Sequence, residues 1–428
     1  MGVGERFRGW RRQPARVGVV IALLATFGTI MTTASLGAAW HGAGKPDGPG
    51  GLGSTTAAAR AAETPVELPL TVRQTAATTF TVPGALPQLP WPTDGEAAIE
   101  VEGLGLLGTS GAVSSPVPIA SITKTMTAYL ILEDHPLAAG QDGPTITVTR
   151  AEAETYVKES DTGDSLVPVR AGEQISERDA LYALMLASAD NFAQILADWD
   201  VGGTTAFLAR MNAEAVQLGM TGTTFTDPSG LAASTTSTAL DLLKLGAAAM
   251  QLPDFRQIVG TTAAYVPVAG EIKNYDQLLG TDGVIGIKTG STDAAGSCLL
   301  FAATTVVDGQ TETIVGAVLG QHLGDSEGIV SPALEAAHKL VLTAEAALTT
   351  AEVAAPGATI AVFDRGTVSE GALTVAAPVT AVGWPGLILQ VAVVGGTAAP
   401  AITVTAGAGT APLAAEPLAI EVSGIRRD

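Results

Sequence analysis

The pattern of apolar and polar positions changes character four times along the chain. Val17–Trp40 is a run of 24 residues without a charge, and about 20 such residues span a bilayer as a helix. Residues 41–95 follow no sustained period. Six glycines fall between Gly42 and Gly53, and Pro87, Pro90 and Pro92 close the stretch, so it reads as a flexible linker with one local strand possible over Thr71–Val82. Periodicity then sets in. Ala97–Leu107 is strand-like, and helical spacing predicts helices over Ser121–Glu133, Glu177–Asp198, Thr204–Leu218, Thr238–Met250 and Gly328–Ala347. Two apolar β-type runs, Ser297–Val306 and Thr311–Leu319, flank an Asp308-Gly309 hairpin signal. Beyond Pro356 only short β-type runs remain: Thr359–Phe363, Leu373–Val382, Ile388–Val394, Ala401–Thr405 and Leu418–Val422.

This order predicts an α/β (α+β) body in which helices flank a mainly antiparallel sheet, followed by a small all-β module. The expected divisions are 1–40, a basic stub with a membrane anchor or signal peptide; 41–95, the linker; 96–349, the main body; and 350–428, the β-rich module. Five of the 22 basic residues and one of the 42 acidic ones lie in the first sixteen positions. Such a basic flank stays in the cytoplasm and places everything downstream outside. Gly37-Ala38-Ala39 offers an alternative cleavage site. Either way the chain is exported, membrane-anchored at its N-terminus or secreted.

Composition narrows the function classes. The net charge is −20, and −24 beyond residue 16, which repels phosphate backbones and leaves no place for nucleic acid. Only one cysteine, Cys298, is present, so there is no intrachain disulfide and no thiolate zinc site. It reads as a small buried hydrophobe. His41, His135, His322 and His338 show no metal-ligand spacing. Neither a metal nor a cofactor is expected.

Three short segments carry chemistry. Ser121-Ile122-Thr123-Lys124 stands at a helix start, and residues three apart share a helix face, so the Lys124 amine reaches the Ser121 hydroxyl. A serine needs such a neighbouring base to attack a carbonyl. Ser188, followed by Asp190 and Asn191, falls at a break between helical runs. Lys288-Thr289-Gly290-Ser291 immediately precedes the hairpin, with a fixed cation, a hydroxyl and a glycine beside which a substrate backbone fits. Each segment alone is weak evidence, since Ser188 at a helix break is ordinarily a cap. Together, in this order, they form a set shared by penicillin-binding proteins and class A β-lactamases.

Over Ala97–Ala347 the chain resembles the serine-type D-Ala-D-Ala carboxypeptidases, the low-molecular-mass penicillin-binding proteins of the peptidase S11 type. The resemblance extends to Pro118–Ala128, Met211-Asn212, Leu218-Gly219-Met220, Asp227-Pro228-Ser229-Gly230-Leu231 and the lead-in from Asn274 through Gly286. It implies a β-lactamase/transpeptidase-like fold with a stalk-like tail. It also implies that Ser121 attacks the carbonyl between the two terminal D-alanines of a peptidoglycan stem peptide and that Lys124 takes its proton. Ser188 would relay a proton to the leaving D-alanine. Lys288 and Thr289 would bind the terminal carboxylate, and the N–H groups of Ser121 and Ser291 would form the oxyanion hole. Stem peptides are the implied substrate, β-lactam antibiotics the implied inhibitors, and the bacterial cell envelope the implied location. One position departs from the pattern: Asp190 stands where the family has Asn, and a carboxylate beside Lys124 should favour the charged amine and weaken the base.

Two other readings share the motifs. A class A-like β-lactamase needs a Glu-x-x-x-Asn loop between the second and third motifs. The only glutamates in 191–287 are Glu214 and Glu271, which are followed four residues on by Leu218 and Tyr275. A non-catalytic wall-binding scaffold would tolerate Asp190, but it gives no reason for Ser121, Lys124 and Lys288 to be intact.

Overall fold

Strands Gly296–Val307 and Gln310–Gln321 form the central hairpin of the main body, closed where the hairpin signal falls. Asp308 and Gly309 both take positive φ, 51° and 79°, the pairing that a two-residue turn needs to match strand twist. The computed structural model describes residues 70–138, 140–322, 331–395, 399–407 and 412–422. The anchor or signal peptide expected within 1–40, residues 41–69 of the expected linker and the first three residues of the expected helix Gly328–Ala347 lie outside the described residues. Among the described residues no helix is long and apolar enough to cross a membrane.

Around the hairpin stands a five-stranded antiparallel sheet. Its order is Gly105–Ser110, Glu96–Val101, Gln310–Gln321, Gly296–Val307, Val284–Thr292. The Lys288-Thr289-Gly290 segment therefore lies on an edge strand. Side chains alternate across the sheet. Ala97, Ile99, Leu299, Phe301 and Val318 pack with Leu340 and Ala344 of helix Ser331–Ala347 on one face. Ala98, Leu300, Ala302, Val315 and Ala317 join the larger helical core on the other, with helix Ala239–Gln251. Phe301 lies opposite Gly316 in register, and a Cβ there would run into its ring. Helices on both faces of an antiparallel sheet is the layering that the periodicity predicts.

Several elements differ from expectation. The single strand over Ala97–Leu107 is a hairpin that turns through Gly103 and Gly105, both at positive φ; the leucines after the turn extend the apolar pattern and mask it. Leu373–Val382 likewise divides into Val368–Val375 and Val379–Gly383 around Pro378, which cannot donate to a ladder. Helix Arg150–Glu159 has no buried residue and hence no apolar stripe, and its signal is the capping box of Thr149 with Glu152.

The largest correction concerns the linker, which was expected to run to residue 95. From Leu70 onward the chain is built into the fold. Leu70–Gln74 and Thr79–Thr81 form the two outer strands of a seven-stranded sheet with Thr359–Arg365, Val368–Val375, Ala414–Val422, Ala401–Thr405 and Ile388–Val394. Val72 pairs with Phe363 and Phe80 with Leu389. Val82 is buried with Ile360, Phe363, Leu373 and Leu389. Stretches of five and three residues carry too few alternations to stand out from a coil. The β-rich module thus takes strands from both sides of the main body in the sequence.

Glu177, the first residue of helix Glu177–Met185, is fully buried, and among the described residues neither carboxylate oxygen has a hydrogen-bond partner. Burial pushes its pKa up to about 7 from the ordinary 4.5, against the pull of Arg178. Between those pH values the folded chain holds a proton that the unfolded chain has released. The stability contribution is therefore whole below 4.5 and is lost as pH rises through 7, at most about 3 kcal/mol. Glu177→Gln should match the parent Tm at pH 4.5 and exceed it at pH 8 by roughly 3 °C or more. Equal melting temperatures at pH 8 would contradict this account.

Candidate active site

The site begins with a strained turn. Ala120, just ahead of Ser121, has φ 48°, a left-handed conformation that costs on the order of 1 kcal/mol for a residue with a Cβ. Thr123 Oγ1 donates to Ala120 O at 2.8 Å. Residues Ala120–Thr123 form a short 3-10 segment that runs into helix Lys124–Asp134. Lys124 is fully buried. Its Nζ lies 2.8 Å from Ser121 Oγ, 2.6 Å from Asp190 Oδ1 and 2.8 Å from the main-chain oxygen of Ser229. A charged ammonium donates to all three. A neutral amine has two N–H donors, which Asp190 and Ser229 can absorb, and its lone pair is then left for the Ser121 hydroxyl proton. Such an amine is placed as a base.

Burial shifts Lys124 toward that neutral form. Burial lowers the Lys124 pKa below the ordinary lysine range, and the nearby Asp190 opposes the shift without reversing it. The weakening of the base expected from Asp190 is therefore present, but desolvation outweighs it. Asp190 is held by reciprocal contacts: its N–H donates to Ser165 O at 2.7 Å, and its Oδ2 accepts from Ser165 N at 3.2 Å. Asn191, the next residue, is engaged with the neighbouring loop. Its amide donates to Val167 O at 2.8 Å and its carbonyl accepts from Val167 N at 3.1 Å, so it clips the 165–167 loop to the start of helix Asp190–Val201.

Ser188 occupies the turn between helices Glu177–Met185 and Asp190–Val201, buried and at φ 57°. Its hydroxyl makes no hydrogen bond to Ser121 or Lys124 among the described residues. The strand Val284–Thr292 brings in the third segment. Gly290 packs on the turn that carries Ser121, and a Cβ there would stand 3.1 Å from Ser121 N and 3.2 Å from Ile122 N. The glycine thus clears space for the turn that carries Ser121, beyond the expected room for a substrate backbone. Thr289 is buried beside it and Ser291 is half-buried. Lys288 is 1% exposed and donates to Thr289 O at 2.9 Å. Burial and, secondarily, repulsion by Lys124 push its pKa down to about 7, while Asp190 and Asp276 pull upward. On the neighbouring strand, opposite Gly290, Cys298 is buried, and burial pushes its thiol up to about 12.

Motif reading did not assign a role to the loop that closes this arrangement. Asp227 Oδ2 accepts from Ser229 Oγ and from the N–H groups of Gly230 and Leu231 at 2.7–2.9 Å, and Oδ1 accepts from Thr235 Oγ1. Thr127 Oγ1 donates to Pro228 O at 2.7 Å. Gly230, at φ 87°, abuts Ala120 so closely that a Cβ would overlap its carbonyl oxygen. Asp-Pro-Ser-Gly is a legible turn signal, but that its product is one main-chain oxygen aimed at Lys124 is not. A cavity of about 560 Å³ is lined by Asp190, Ser229, Leu231, Glu152 and Glu159.

Comparisons with known proteins agree with this geometry. The chain is 37% identical over 197 residues to a D-alanyl-D-alanine endopeptidase of Pseudomonas aeruginosa, covering 44% of this chain and 60% of that protein. It is 32% identical over 216 residues to a D-alanyl-D-alanine carboxypeptidase of Streptomyces sp. strain K15, covering 46% and 71%. With a D-alanyl-D-alanine carboxypeptidase of Mycobacterium tuberculosis it shares 37% identity over 193 residues, covering 44% and 62%. The chain thus spans between three-fifths and about seven-tenths of these relatives' lengths. The crystal structure of the Streptomyces K15 DD-transpeptidase superimposes with a TM-score of 0.53 at 28% identity, over 60% of this chain and 99% of that one. Residues 107–322, half of the chain, match the sequence profile of the S11 peptidases, described as D-alanyl-D-alanine carboxypeptidase. The chain belongs to the D-alanyl-D-alanine carboxypeptidase family, peptidase S11.

Proposed function

We propose that the protein is a serine D,D-carboxypeptidase that removes the terminal D-alanine from peptidoglycan stem peptides through an acyl-enzyme on Ser121. The observation that carries this reading is the buried Lys124 amine, 2.8 Å from Ser121 Oγ and tied on its other sides to Asp190 and Ser229 O. Lys124 takes the hydroxyl proton as Ser121 Oγ adds to the carbonyl between the two D-alanines. The N–H groups of Ser121 and Ser291 receive the oxyanion. Collapse of the tetrahedral adduct releases D-alanine, with Ser188 relaying the proton to its amine, and water then hydrolyses the ester. Lys288 and Thr289 bind the terminal carboxylate on an edge strand, along which an extended peptide can align. In this reading the enzyme acts outside the membrane, is held or exported by its N-terminal segment, and is acylated by β-lactams.

Two experiments follow. Benzylpenicillin should add its mass to the full chain as a long-lived ester, absent in Ser121→Ala, and a D-Ala-D-Ala-terminated pentapeptide should release D-alanine. A fleeting adduct with rapid drug loss would indicate a β-lactamase instead, and no adduct at all would leave the scaffold reading. Supplying a D,D-crosslinked dimer alongside the pentapeptide separates endopeptidase from carboxypeptidase preference.

Asp190→Asn keeps a carbonyl acceptor for Lys124 and removes the charge that raises the lysine's proton affinity. Its amide would face Ser165 N, so stability should fall by about 1 kcal/mol. The acylation rate should be equal or faster. A rate lowered on the order of a hundredfold would show instead that the carboxylate itself serves the base.

A further inference from the structure

The loop that presents Ser229 O to Lys124 also displays a leucine. Pro228, Ser229 and Gly230 are buried, and the next residue, Leu231, is 46% exposed. A single exposed leucine is ordinary on a protein surface. Leu231 differs in how it is held and in what it faces. Its N–H donates to Asp227 Oδ2 at 2.9 Å, the oxygen that also takes the N–H of Gly230. Gly230 is pressed against Ala120 O, with no room even for a Cβ. The main chain leading into Leu231 is therefore fixed to the turn that carries Ser121. The side chain lines the cavity of about 560 Å³ together with Asp190 and Ser229, which both accept from Lys124 beside Ser121. Ile195 and Pro228, both buried, extend its apolar surface. A cavity of this size suits a ligand's side group, and apolar walls of this kind are what such sites use.

The lining also tells which part of a ligand the cavity meets. No residue of strand Val284–Thr292 lines it. In the proposed reaction Lys288 and Thr289 of that strand hold the terminal carboxylate, so the leaving group lies over the strand. The cavity adjoins Ser121 from the Asp190 and Ser229 side, where the acyl portion of the ligand, the part that stays on Ser121, has room to extend. Glu152 and Glu159, from helix Arg150–Glu159, also line the cavity and disfavour an anionic group there. We propose that Leu231 is a specificity-determining residue that packs on an uncharged, apolar side group of the ligand's acyl portion. This rests on the reading that Ser121 is acylated while Lys288 holds the carboxylate. Because the loop is already pinned, the contact costs little ordering when the ligand binds.

Leu231→Ala in the full chain tests this, since the bond of residue 231 to Asp227 is a main-chain one and survives. Acylation is followed by intact mass with two penicillins that share the ring system and its carboxylate. Benzylpenicillin carries a phenylacetyl group on the side that corresponds to a peptide's acyl portion, and 6-aminopenicillanic acid carries only an amine there. The preference for benzylpenicillin, taken as the ratio of the two second-order acylation rates, should fall about tenfold in Leu231→Ala. Leu231→Met should keep most of that preference, and Leu231→Gln, similar in size but polar, should lose it. An unchanged ratio in Leu231→Ala overturns the proposal, as does an equal loss with both drugs, which a merely structural role would produce. A parent enzyme acylated by neither drug would overturn the Ser121 reading, and this inference with it; a parent acylated by both, with the ratio intact in the variant, would overturn this inference alone.

Discussion

Everything in the catalytic body that surrounds Ser121 serves to bury one lysine. Taking an ammonium out of water is costly unless each donor finds an acceptor. For Lys124 the acceptors come from separate parts of the chain: Ser121 on its own turn, Asp190 from the head of another helix, and Ser229 from a loop more than a hundred residues on. Docking those parts and satisfying the lysine are one event. The close fit elsewhere follows from it. Ala120 is held at positive φ, Gly230 abuts its carbonyl, Gly290 clears the amides of Ser121 and Ile122, and Asp227 gathers the loop that presents Ser229 O.

The same burial explains how Asp190 is tolerated. A carboxylate in contact with a lysine proposed as the base would be a handicap in water, where it would hold the lysine charged. Inside, desolvation acts on Lys124 more strongly than Asp190 does, and the carboxylate supplies an acceptor that a neutral amine needs in order to leave its lone pair free. Lys288 is buried as well, and Asp190 offsets in part the repulsion between the two lysines.

Legibility in the sequence followed the range of the interactions. Ser121 and Lys124 lie one helical turn apart, and the Lys288–Ser291 run precedes a strong hairpin signal, so local periodicity was enough to single them out. The order of the helices and of the central hairpin was legible for the same reason. What the side-chain pattern could not carry was main-chain chemistry, such as the Ser229 oxygen, and edge pairing over a few residues, such as Leu70–Gln74 against Thr359–Arg365. Asn191 shows a different limit. Its chemistry suits a catalytic site as well as Asp190's does, and only the position of Val167 decides that it ties down a loop.

In the proposed reaction the ligand is an anion, and the net charge of −20 bears on how the site would acquire it. A body of this sign repels a carboxylate at long range, so attraction must come from cations that bulk counter-ions do not screen. Lys288 is suited to that because it is buried, and burial is also what brings its pKa to about 7. The two properties are inseparable: a more exposed lysine would stay charged to higher pH but bind a carboxylate no better than any surface pair does. Asp190 relaxes this conflict from its place beside Lys124, since it raises the Lys288 pKa while it holds the neighbouring amine.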